Sequence, residues 1–113
     1  MGPKKRKPLT TNGWLRMQAD EIISAIDKAL AENCINADNF TLALSTSIVH
    51  NMCCITLIAK DGAYYETTAN LFEKFNPFNN QSYWDKTQKI ITDKYGFKKV
   101  SKTPNIRRYT FSK

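Results

Sequence analysis

A chain of 113 residues with 42% hydrophobic and 12% aromatic content can build one domain with a modest core, and is too apolar to be read as disordered. No apolar run approaches the roughly 18 residues a membrane span needs, and no hydrophobic segment follows the N-terminal charges as in a signal peptide, so the expectation is an intracellular protein with no membrane partner. The net charge of +7 is unevenly placed, +4 over residues 1–13, −5 over 14–85 and +8 over 86–113, and that asymmetry points to an oriented encounter with a polyanion.

Residues 1–10 read as a disordered basic arm ahead of a single domain over 11–113. Lys4, Lys5, Arg6 and Lys7 lie between Pro3 and Pro8. The run resembles a short nuclear-localisation signal, and serves equally as a flexible arm for phosphates or a solubilising tail. Nuclear placement follows if the host is eukaryotic, cytoplasm or nucleoid otherwise.

From Thr11 the pattern becomes helical. Leu15, Ala19, Ile22, Ile23, Ile26 and Leu30 recur at helical spacing, and Asn33 ends the run. Asp20, Glu21, Asp27 and Glu32 fall mostly on other faces, so this helix should lie away from a bound polyanion. Next, Phe40, Leu42 and Leu44 alternate with smaller or polar residues, as in a half-buried strand. A second strand carries Ile55, Leu57 and Ala59 on one side. Asp61-Gly62 predicts a tight hairpin in which both residues tolerate positive φ, and the third strand is "AYYET".

Thr67 or Thr68 can cap a short helix through Leu71, Phe72 and Phe75, broken by Pro77 and the asparagines around it. Ser82-Tyr83-Trp84-Asp85 has capping-box spacing, which predicts a further helix from near Tyr83 with Trp84, Thr87, Ile91 and Tyr95 on one face and Gly96 as its stop. "FKKVS" and "IRRYTF" read as two strands turning at Thr103-Pro104-Asn105. The expected fold is α+β in the order α-β-β-β-α-α-β-β.

Three cysteines without a framework of spacings fit structural or buried thiols rather than a secreted disulfide scaffold. His50, Cys53 and Cys54 are close in sequence, but His50 is the only histidine and no second ligand pair follows at zinc-finger spacing, so no metal and no other cofactor is expected. Catalysis finds little support. There is no glycine-rich phosphate loop or nucleophile elbow, and Asp61, Glu66, Glu73 and Asp85 are scattered.

The C-terminal third carries the functional reading. Lys86, Gln88 and Lys89, exposed on the second long helix, could offer ammonium groups to phosphates or guanine and an amide to adenine. Lys98, Lys99, Lys102, Arg107 and Arg108 on the closing hairpin would supply phosphate contacts. A charge run can also be a solvated face or a means of blunting an exposed edge.

Helix, Asn-rich turn, helix, glycine and basic hairpin is the order of the closing elements in winged-helix proteins. "FNPFNNQSYW…KYGFKKV" resembles the recognition region of heat-shock-factor DNA-binding domains, and "DKYGFKKVSK…RRYTF" resembles the close of Ets domains, with Lys86 and Lys89 the nearest counterparts of the Ets arginine pair. Over residues 72–111 the resemblance implies a winged-helix-like close and DNA-binding, transcription-regulating activity. The expected function is therefore a small nucleic-acid-binding protein, duplex DNA before RNA, with residues 4–7 as a supplementary arm. The competing expectation is a protein-binding module of the kind viral and mobile-element proteins use to inhibit or recruit host machinery. An exposed sheet edge would also permit a homodimer.

Overall fold

Helix α1 spans Thr11–Glu32. Its apolar stripe of Leu15, Ala19, Ile22, Ile26 and Leu30 is buried, as the spacing predicts, and Gln18 lies buried in the same stripe. The helix ends in a Schellman motif. Cys34 takes φ 55, the Ile35 amide donates to the Leu30 carbonyl at 3.0 Å, and the Cys34 amide to that of Ala31 at 3.4 Å. The computed structural model describes residues 11–47, 50–72, 81–103 and 108–112, and over 99–103 and 108–112 it is the backbone that is described.

Strands β1 (Phe40–Ser47), β2 (Met52–Ala59) and β3 (Tyr64–Asn70) follow as an antiparallel meander. Helix α2 (Gln81–Tyr95) leads into β4 (Lys98–Thr103) and β5 (Arg108–Ser112). All five strands form one sheet in the order β3-β2-β1-β5-β4, with β5 antiparallel to β1. Phe40, Leu42 and Leu44 of β1 and Cys53, Ile55 and Leu57 of β2 point to one face. There they form a single core with Ile22 and Ile26 of α1 and Trp84, Ile91 and Tyr95 of α2. Both helices therefore lie on the same side of the sheet, and the other side carries no helix among the described residues. Aromatic edges tie α2 to the sheet, with Phe40 5.7 Å from Tyr95 and 5.0 Å from Phe97 between ring centroids.

The architecture is α+β, and four local expectations are corrected. Thr67 and Thr68 do not cap a helix: they belong to β3, opposite Ile55 and Cys54, because Tyr65, Thr67 and Ala69 continue a period-two pattern that a paired strand can use. Phe75 and Pro77 lie outside the described residues. Helix α2 begins at Gln81, so Ser82 sits inside the first turn rather than capping it. In the β2–β3 turn only Gly62 takes positive φ, at +91°. The Gly62 amide donates to the Ala59 carbonyl at 2.9 Å and Asp61 Oδ1 accepts from the Ala63 amide at 2.9 Å, a type I turn closed by a glycine bulge rather than a two-residue primed turn. Finally, Cys53 is buried, but Cys34 and Cys54 are exposed, since Cys34 follows the end of α1 and Cys54 alternates with Cys53 onto the uncovered face. Gly96 stops α2 as expected, at φ +70, with the Phe97 amide donating to the Thr92 carbonyl at 2.9 Å.

Candidate nucleic-acid interface

The buried stripe of α2 runs through Trp84, Thr87, Gln88, Ile91 and Tyr95. Gln88 is 5% exposed, which corrects its expected role as an exposed base-reading amide. It stands four residues after Trp84 and three before Ile91, and that spacing decides its direction whatever its polarity. Its Nε2 and the Trp84 Nε1 are buried without a hydrogen-bond partner among the described residues. Thr87 satisfies itself by donating to the Tyr83 carbonyl at 2.9 Å.

Lys86 and Lys89 are exposed on the opposite side of α2, facing away from the sheet. Lys89 pairs with Asp93 one turn on, at 3.4 Å; both groups are well solvated, so the pair adds little stability but places a carboxylate beside one of the two cations. Lys98 is exposed and directly follows buried Phe97, which packs on Phe40. Successive strand residues alternate, so Lys98 turns to the uncovered side of the sheet. Lys86 and Lys89 therefore lie on the helical side of the domain and Lys98 on the other, and the structure does not bring these three onto one face.

The backbone of the closing hairpin sets its basic residues along one edge of the sheet, at register positions that alternate between the two faces. Lys98, Lys99 and Lys102 occupy β4, the outermost strand on one side of the sheet, and Arg108 stands opposite Thr103 on the adjoining β5. Lys99 pairs with Phe111 and Lys102 with Tyr109, which in turn pair with Leu42 and Leu44 of the central strand, and a register shift between Lys99 and Ser101 marks a bulge. Arg107 and the arm residues Lys4, Lys5, Arg6 and Lys7 lie outside the described residues.

Two groups have strongly shifted ionisation. Burial pushes the Cys53 thiol well above its ordinary range, with a smaller push from neighbouring Cys54, so it is an inert core group at neutral pH. Burial also raises the Tyr95 phenol, and its hydrogen bond to Asp27 Oδ1 at 2.6 Å holds the proton further. Among the described residues, no three His, Cys, Asp or Glu side chains gather as a metal site. Cys53 and Cys54 face opposite sides of β2, which separates the ligands that the sequence brings together.

Gln18 is a residue that the sequence reading passed over. Its Nε2 donates to the Asn70 carbonyl at 2.9 Å and its Oε1 accepts from the Phe72 amide at 2.6 Å, so a side-chain amide does for the end of β3 what a neighbouring strand would do. Its place in the stripe between Leu15 and Ile22 was the available signal. No described helix is long and apolar enough to cross a membrane. Comparison with protein-family models, curated proteins and solved structures finds no match to this chain.

Proposed function

We propose that this domain binds nucleic acid, duplex DNA before RNA, through the β4 edge of its sheet and by phosphate contacts rather than base reading. The observation that carries the reading is the placement of Lys98, Lys99 and Lys102 on the outermost strand with Arg108 on its neighbour, in a segment of net +8. A row of cations along a strand edge matches a phosphate backbone in charge and in being linear. The succession of α2 and a basic hairpin is the order found in winged-helix domains and lends support. With Gln88 buried, Lys89 paired to Asp93 and both helix lysines on the side away from Lys98, α2 supplies no amide for adenine and stands outside the four phosphate contacts.

The test is a salt titration of binding to a random duplex. About four neutralised phosphates predict a log–log slope of about −3.6. Lys98→Ala, Lys99→Ala, Lys102→Ala and Arg108→Ala together should flatten the slope by about 3.6 units without loss of the circular dichroism signature. A slope near zero for the unaltered chain, or no binding at low salt, overturns the reading.

A further inference from the structure

The two edges of the sheet are built differently. The β4 edge has the devices that discourage strand pairing, three lysines and a bulge. The β3 edge has neither: "YYETTAN" contains no lysine, no proline and one charge, Glu66, and its register with β2 is unbroken from Tyr64 to Asn70.

Hydrogen-bond phase shows which groups of β3 face outward. The Ala59 amide donates to the Ala63 carbonyl at 2.8 Å, and the Leu71 amide to the Asn51 carbonyl at 2.7 Å. Narrow pairs recur at every second residue, so Tyr65, Thr67 and Ala69 bond to β2, while Tyr64, Glu66, Thr68, Asn70 and Phe72 turn their N–H and C=O groups to the open side. Gln18 takes the Asn70 carbonyl and the Phe72 amide, which closes one end of the edge. Over Tyr64, Glu66 and Thr68 no described residue pairs with the outward backbone. Beside these residues on the uncovered face lie two shallow clefts, one of about 290 Å³ walled by Ile58, Tyr64 and Glu66, and one of about 540 Å³ walled by Cys54, Glu66 and Thr68. Tyr64, 67% exposed, stands at the mouth of the first.

We propose that the β3 edge binds an extended segment of a partner protein as an added strand, with a Lys or Arg of that segment opposite Glu66. Backbone pairing to Tyr64, Glu66 and Thr68 supplies the affinity, and the clefts beside the edge receive alternate side chains. Charge selects the occupant. Pairing with a second copy about a two-fold axis, in the register that uses all three residues, sets Glu66 against Glu66 of the other copy, and like charges directly opposite are unfavourable. The inference is independent of the nucleic-acid reading, which uses the opposite edge of the sheet.

The test uses the full chain, isotope-labelled for amide shifts, and a nine-residue capped peptide alternating Thr and Val around a central Lys, with its central-Glu counterpart as control. Saturable shifts are expected at the Tyr64, Glu66 and Thr68 amides, with affinity about fivefold higher for the Lys peptide and the preference reversed by Glu66→Lys. Thr68→Pro removes an outward N–H and leaves the β2 ladder intact, so it should abolish binding while β2 amides stay protected from exchange. Shifts elsewhere on the chain, equal affinity for the two peptides, or binding retained in Thr68→Pro overturn the proposal. So does a peptide-free, concentration-dependent dimer that Thr68→Pro dissolves, since that outcome puts a second copy on the edge. If Thr68→Pro does not fold, the Glu66→Lys reversal, made at an exposed side chain, decides alone.

Discussion

Cys34 holds φ 55 at the position where a Schellman motif prefers glycine, and its Cβ makes that conformation unfavourable by about 1 kcal/mol. Cys34→Gly should therefore raise stability by about 0.5–1 kcal/mol in urea unfolding, the relief being partly offset by the freer unfolded chain. An unchanged or lower midpoint would show that the thiol side chain makes a compensating contact. Gln18 works in the opposite sense. Gln18→Ala removes two hydrogen bonds to the end of β3 and should cost about 2 kcal/mol. Amide exchange should quicken first at Phe72, whose N–H loses its acceptor, and next at neighbouring Leu71, and uniform loss across the domain would argue against a local anchoring role. Neither effect is visible from residue type alone, because the first depends on backbone geometry and the second on contacts 52 and 54 residues away.

Elements whose signal is a local period were legible in the sequence. The stripe of α1, the alternation of Phe40, Leu42 and Leu44, and the face of Trp84, Thr87, Ile91 and Tyr95 all follow from spacing. The misreadings arose where two local signals competed and a nonlocal contact decided. Thr67-Thr68 offers a cap and also a pair of β-branched strand residues, and the β2 partners Ile55 and Cys54 settle it as strand. Polarity points Gln88 outward but its position in the α2 stripe turns it inward, so the candidate site lacks that amide. Its unpartnered Nε2 makes a second prediction for α2: Gln88→Leu should stabilise the domain by about 1 kcal/mol and leave duplex affinity unchanged. A drop in affinity with the fold intact would return Gln88 to the interface. The cations on β4 were legible as a charge run, whereas the separation of Lys98 from Lys86 and Lys89 was not, since it depends on which side of the sheet α2 packs.

At the scale of the molecule, the two shifted groups define an alkaline limit. The Cys53 thiol and Tyr95 phenol are both raised in the folded state, so the fold retains protons that the unfolded chain releases. Their contribution is complete below the unfolded values and is lost as pH rises, so stability should hold from neutral pH to about 9 and fall above it. Tyr95→Phe should shallow that fall, with a cost of about 1 kcal/mol at pH 7 from the lost bond to Asp27. An identical alkaline slope in the variant would assign the limit to other groups. Strand order has its own consequence. β1, the middle strand, gains its second neighbour from residues 108–112, more than sixty positions later in the chain. During synthesis α1 and the β1–β2–β3 meander emerge together and can pair at once, but one flank of β1 stays bare until β5 leaves the ribosome. For that interval the nascent chain exposes an apolar strand, Phe40 to Leu44, in the middle of its future core, and this is where a chaperone would find it.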